Sequence, residues 1–205
     1  MNNDSVKKTV DNLKKNGFEV EVFENGEQAK ESALKEIPEG SVIGFGGSTT
    51  VSQIGLLDVL RKGNYKLYDQ YKLNLSSKDK LEIRRLGLTA DYYITGTNAI
   101  TESGELINVD SIGNRVAAQI FGPRKVFIFV STSKIVKDIE AGLERIRTVA
   151  APLNAHRFAL DLPCIHGKPC SECPPETTLC NVTTIIHRQR LPRIKIFLIK
   201  ETLGY

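Results

Sequence analysis

The chain predicts an α/β fold with a mainly parallel sheet and helices on both faces, and three observations carry that prediction. Short apolar runs alternate with amphipathic stretches along most of the sequence. One run, Lys125-Val-Phe-Ile-Phe-Val, is almost continuously apolar, the mark of a strand buried on both sides. Another, Ser41-Val-Ile-Gly-Phe, runs into Gly46-Gly47-Ser48-Thr49-Thr50 and then into a helical pattern, giving a strand, glycine turn and helix in sequence.

The elements follow in order. Val6, Val10 and Leu13 fall at helical spacing over Asp4–Asn16, and Asn16-Gly17 supplies a stop. Phe18–Phe23 alternates as a strand, and Glu27–Ile37 reads as a helix ended by Pro38. After the glycine turn, Ile54, Leu57 and Leu60 share one face of a third helix. Lys66–Asp69 is a weak strand, Lys78–Leu88 a helix, and Asp91–Thr95 a strand ending at Gly96. Leu106–Val109 is extended, Arg115–Phe121 helical, Lys125–Val130 a strand and Asp138–Val149 a helix. Residues 151–182 break the rhythm and read as an inserted cysteine-rich loop within one domain spanning 1–205; Ile194–Ile199 restores a strand.

At 205 residues the chain suits one α/β core, and with 40% hydrophobic and 25% charged residues it is composed like an ordinary globular protein. Neither a leader with an apolar core nor a run of about 20 apolar residues is present, which predicts a cytoplasmic protein with no transmembrane segment. The net charge of +4 is spread along the chain, giving no footprint for nucleic acid. The one basic concentration, His187, Arg188, Arg190, Arg193 and Lys195, is either a solvated edge or a docking surface for an acidic partner.

A reducing compartment makes disulfides improbable, so four cysteines within one short window point to metal or thiol chemistry. Their spacing is Cys164-x5-Cys170-x2-Cys173-x6-Cys180, stiffened by Pro163, Pro169, Pro174 and Pro175. Four thiolates suit an iron–sulfur cluster such as [4Fe–4S] or a structural zinc, and free redox thiols are the third reading. One Cys-x2-Cys pair flanked by two single cysteines is closer to irregular cluster loops than to paired zinc knuckles, so the cluster is favoured. The basic run from His187 to Lys195 is a candidate cover for its negative charge.

Two turns are candidate ligand sites, because ligands of such sheets sit at the carboxyl ends of strands. In Gly46-Gly47-Ser48-Thr49-Thr50, backbone N–H groups and hydroxyls at a helix start suit an anion. The turn lacks a Walker lysine and the dinucleotide spacing. The second turn is Gly96-Thr97-Asn98, with Asn108 and Asn114 beyond it. Glu102 is the best-placed carboxylate for acid–base or nucleophilic work, and Lys134, after the next strand, is a candidate cation for the same pocket. Both turns also have an ordinary reading as tight turns.

These residues resemble a known family. GFGGSTTVSQIG from Gly44 to Gly55, then TGTNAITESGELINVDSIGNRVAAQIFGPRKVFIFVSTSKIV, then ERIRTVAAPLNAHR resemble the LUD, or lactate-utilization, family, formerly DUF162, over about residues 4–205. The terminal cysteines resemble those of a short form carrying a cluster motif. The resemblance implies a NagB/RpiA/CoA-transferase-like fold and a role beside redox partners in iron–sulfur assemblies that oxidise lactate to pyruvate. The middle segment is also similar to methylthioribose-phosphate isomerases, whose turn carries a catalytic acid; Asn98 stands at that place and cannot transfer the proton. The expected function is thus an iron–sulfur electron-transfer or accessory subunit binding a small carboxylate or phosphorylated metabolite. The alternative is a CoA-transferase or isomerase-like enzyme using Glu102, with a structural zinc.

Overall fold

The computed structural model describes residues 3–168 and 170–205; Pro169, one of the prolines expected to stiffen the cysteine loop, lies outside them. The chain begins with α1 (Asn3–Lys15), β1 (Glu19–Phe23), α2 (Gly26–Glu36) and β2 (Val42–Phe45). The single helix expected next is two, α3 (Thr49–Gln53) and α4 (Leu56–Lys62). The break falls at Gly55, whose φ of +68° places it in the left-handed region where glycine carries no Cβ penalty. Then come β3 (Lys66–Tyr68), α5 (Ser77–Gly87), β4 (Tyr92–Thr95), β5 (Ala99–Thr101), β6 (Leu106–Asp110), α6 (Asn114–Ile120), β7 (Lys125–Ser131) and β8 (Ile135–Val136).

Six strands form the main sheet in the order β3, β2, β4, β7, then a strand at Ile194–Ile199 (β10 below), then β1, and every pairing is parallel. Alternation along the central strands feeds two cores. Phe127, Phe129, Phe197 and Ile199 point to one face, against Ala29 and Ala33 of α2 and Leu56 and Leu60 of α4. Val126, Ile128, Val130, Ile196 and Leu198 point to the other, against Leu13 of α1 and Ala118 of α6. Helices therefore cover both faces, as expected, and the central strands are apolar throughout because both sides are buried. Phe129 stacks on Phe197 at 4.6 Å between ring centroids, and Phe23 stacks on its other side at 5.8 Å.

A second, mixed sheet was not foreseen. Its order is β8, β5, β6 and then β9 (Val182–Ile186), with β5–β6 and β6–β9 antiparallel. Its strands are short, and β9 lies just past the cysteine window, where the proline-rich composition hid it. One face of this sheet joins the α1 side of the core through Ile100 and Leu106. Its other face, through Ala99 and Ile107, packs on α7 (Ile139–Arg145) and the turn of π-helix at Ile146–Ala150 that follows.

That π-turn leads directly into α8 (Ala151–Arg157), so the first seven residues of the expected loop are helical and the irregular chain starts only after Phe158. Pro152 sits at the start of α8, where proline is tolerated. The cysteines follow on two short 3₁₀ turns, Pro163–His166 and Cys170–Glu172, before β9 and β10 (Ile194–Ile199) close the chain. No helix among the described residues is long and apolar enough to cross a membrane.

Candidate functional site

The chain passes outward from β2 to the edge strand β3, then returns to the other side of β2 as β4. Strand order therefore reverses between β2 and β4, and a crevice opens beyond their carboxyl ends. Both expected turns are there, pressed together. A Cβ on Gly46 would lie 2.5 Å from Thr95 Oγ1, and one on Gly96 would lie 2.7 Å from Ser48 Oγ, so only glycine permits the approach.

The crevice widens into a cavity of ≈ 510 Å³, within the range of small-molecule sites. Of the residues expected at a site, Gly47, Ser48, Thr49, Gly96, Thr97, Asn98, Asn114 and Lys134 line it. Gly46, Thr50 and Asn108 stand behind that lining: Thr50 and Asn108 are fully buried, and each holds a cation of the wall, Lys134 and Arg115 respectively. Cys180 and Leu179 of the cysteine loop also line the cavity.

Glu102 is elsewhere. It ends the β5 side of the β5–β6 turn, accepts a hydrogen bond from Ser5 at 2.7 Å and pairs with Lys8 of α1 at 2.8 Å, so these α1 groups hold its carboxyl below the usual range. It anchors α1 and does not line the cavity. The helix start expected at the first turn offers little to an anion, because α3 has only five residues and Ser48 Oγ already accepts the Val51 N–H at 3.2 Å.

Charge in the cavity comes mostly from residues that sequence reading passed over. Arg115 of α6 is buried, and its side chain donates five hydrogen bonds: to Gly96 O (3.3 Å), Asn108 Oδ1 (2.6 Å), Asn98 Oδ1 (2.9 Å), Val109 O (2.7 Å) and Asp110 Oδ1 (3.3 Å). It staples the β4 turn to β6, and Gln119 adds a bond to the same Gly96 carbonyl. Arg145 donates to Asn98 O at 2.9 Å. Arg157 of α8 reaches Thr49 Oγ1 at 3.4 Å, and Arg84 bonds the side chain of Gln70. A hint was present: Arg115 stands at a helix start five residues after Asp110, beside the apolar Val116 and Ala118.

Four cations, Arg84, Arg115, Lys134 and Arg157, therefore meet one carboxylate in the lining, Asp110, which Arg115 engages. A cavity with this excess favours an anion. Lys134 sits on a 3₁₀ turn after β7, is 4% exposed and donates to Thr50 Oγ1 at 3.3 Å. Burial, then the charges of Arg145 and Arg115, pull its pKa down to about 7.

All four cysteines are free thiols. Cys180 is pushed up to about 11 by burial and by the charges of Cys170, Cys164 and Cys173, and Cys164 is raised by burial and by Cys173 and Cys170. Cys164 and Cys180 are thus both disfavoured as thiolates in the metal-free loop, a penalty that a bound multivalent cation would reverse. Among the described residues, no three His, Cys, Asp or Glu side chains already stand at metal-ligand spacing. His166 pairs with Asp161 at 2.6 Å.

The basic run does not cover this loop. It begins at the end of β9 remote from Cys180. Arg193 donates to the carbonyls of Ala118, Pro123 and Gln119, and Lys195 is held by Glu21 of β1 and Glu36 of α2.

The LUD domain description matches residues 6–199. A solved DUF162 family protein from Deinococcus radiodurans is similar over 97% of both chains, with 15% identity and a TM-score of 0.53, a likeness of fold. The delta subunit of eIF2B from Chaetomium thermophilum aligns over 58% of this chain and 50% of its own (18% identity, TM-score 0.38). The beta subunit aligns over 67% and 48% (16% identity, TM-score 0.38). No match was found among curated proteins. With the description spanning nearly all of the chain, this protein belongs to the LUD domain family.

Proposed function

We propose that this protein is an electron-transfer or accessory subunit that binds a small carboxylate or phosphorylated metabolite beside an iron–sulfur loop. It acts in the cytoplasm with a redox protein partner in organic-acid oxidation of the lactate type. The observation that carries the reading is the shared cavity: cations and glycine turns form one side, and Leu179 and Cys180 of the cysteine loop form another. Cys164, Cys170, Cys173 and Cys180 would hold the centre, a [4Fe–4S] cluster by the spacing, and such a cluster supplies one-electron transfer.

The chain's own residues would do the binding. Arg157 and Lys134 reach Thr49 and Thr50 of the first turn, while Arg115 holds the Gly96 carbonyl and the Asn98 side chain of the second. The Ser48, Thr49 and Thr97 hydroxyls and the Asn98 and Asn114 amides supply hydrogen bonds that set orientation.

The test has two arms. Iron, acid-labile sulfide and zinc are measured after anaerobic purification and reconstitution, and calorimetry follows lactate, pyruvate and inorganic phosphate. Stoichiometric iron and sulfide, lost in a Cys164, Cys170, Cys173 and Cys180→Ser variant, would support the cluster. Zinc alone would make the loop structural and remove the electron-transfer role. Anion binding weakened by Arg157→Ala would support the cavity reading, and no binding by any of the three anions would sink it.

A further inference from the structure

Two buried lysines in this chain are held in opposite ways. Lys195, with 7% of its side chain exposed, is gripped by Glu21 at 2.6 Å and by Glu36, and its pKa is raised. That is the arrangement a structural charge needs, because an ammonium leaving water must be paired. Lys134 is just as buried, yet its recorded partner is the neutral hydroxyl of Thr50, and among the described residues no carboxylate lies within ion-pair distance of it. The charges that bear on it are those of Arg145 and Arg115, and both repel an ammonium. The C-terminal segment closes over the amine, since a Cβ on Gly204 would lie 2.9 Å from Nζ. Lys134 is nevertheless one of the residues that line the cavity.

We infer that Lys134 is a nucleophile, its Nζ forming a reversible imine with the carbonyl carbon of a small anion that carries an aldehyde or ketone group. The inference rests on the reading of the cavity as an anion site and adds to it the electrophile. A desolvated lysine beside other cations is a recognised way to present a free amine at neutral pH. With its pKa near 7, about half of Lys134 is unprotonated there, whereas an exposed lysine is almost wholly protonated. The Nζ lone pair attacks the carbonyl carbon and a C–N bond forms. The two amine hydrogens leave with the carbonyl oxygen as water, and the product is a C=N bond to the lysine. No oxidant or reductant is consumed. Arg157 and the Ser48–Thr49 hydroxyls are placed to hold the anionic end while Lys134 meets the carbonyl.

The experiment is reductive trapping. The full-length protein is incubated at neutral pH with sodium cyanoborohydride and pyruvate, or in a second arm glyceraldehyde 3-phosphate, then digested and mapped by mass spectrometry. Lys134 should carry the reduced adduct at least about tenfold above any surface lysine, because its free-base fraction exceeds theirs by more than that. Excess inorganic phosphate should suppress the adduct, and Lys134→Arg and Lys134→Met should lack it. The arm that saturates at the lower concentration tells whether the anion is a carboxylate or a phosphate. Adduct spread over surface lysines, or absent from Lys134, would overturn the inference. If calorimetry still shows pyruvate or phosphate binding, the anion reading survives that failure; if neither binds, both fall.

Discussion

On the sheet side of the cavity, the Arg115 side chain alone makes five hydrogen bonds to β6 and the turn after β4, and Asn98, Asn108 and Gln119 bond to one another or to the same groups. On the loop side, the recorded hydrogen bonds of Cys164 to Cys180 run within the loop, as in Gly167 N–H to Cys164 O at 3.3 Å and Cys173 N–H to Cys170 O at 3.0 Å. Contact with the second sheet comes just after, where Asn181 N–H donates to Asp110 O and its amide to Ser111 O. The first wall is over-determined by the protein itself. The second has four donors of one chemical kind and few bonds to the rest of the protein, and it gains most from something added. A binding surface that must meet an anion in a fixed geometry is built the first way, and a surface that closes around a metal centre can be built the second.

The contrast sharpens with three variants. The largest effect is expected for Arg115→Met, which leaves the Asn108 amide oxygen and the Gly96 and Val109 carbonyls without this donor in a buried setting. Denaturant unfolding should show a loss of about 3–5 kcal/mol, the usual cost of removing one partner of a buried charged network. A loss under about 1 kcal/mol would mean that the network does not hold this wall.

Next is the pH response of Lys134. Its pKa falls from 10.5 when unfolded to about 7 when folded, so between those values the unfolded chain holds more protons. Stability should therefore rise with pH across that window, by up to about 2 kcal/mol from pH 7 to pH 9 relative to Lys134→Met, whose own curve lacks this term. Parallel stability curves for the two proteins would show that Lys134 is solvated or paired.

The smallest effect is expected on the loop side. Replacing all four cysteines by serine should shift the stability of the metal-free protein by less than about 1 kcal/mol, because these positions carry little of the core. The same change should abolish any gain in melting temperature on metal reconstitution. A large loss without metal would show that the loop is a packed element in its own right.

Much of the fold was legible in the residues. The apolar runs at Lys125–Val130 and Ile194–Ile199, the helix periods around Val6 and Ala33, and the glycine turn after Phe45 report burial on two faces, which is a local property of the chain. The glycine turns and the polar residues around Asn98 were legible as one candidate site because the end of a parallel strand is a predictable place for a ligand. The second sheet was not, since β5 and β8 have only three and two residues and show no period. Nor was the helix through Pro152, because a π-turn that carries α7 into α8 is set by packing of Ile146 and Ala150.

By itself, then, the sequence determined the α/β class, the strand-and-turn frame, the clustering of four cysteines and the family. Tertiary structure alone decided which charges meet. Arg84, Arg115, Arg145 and Arg157 come from three separate helical regions far apart in the chain, and Glu102, close in sequence to the second turn, is turned away onto α1. The physical reason is that hydrophobic periodicity is written over a few residues, while the field in a cavity sums charges brought together from the whole chain.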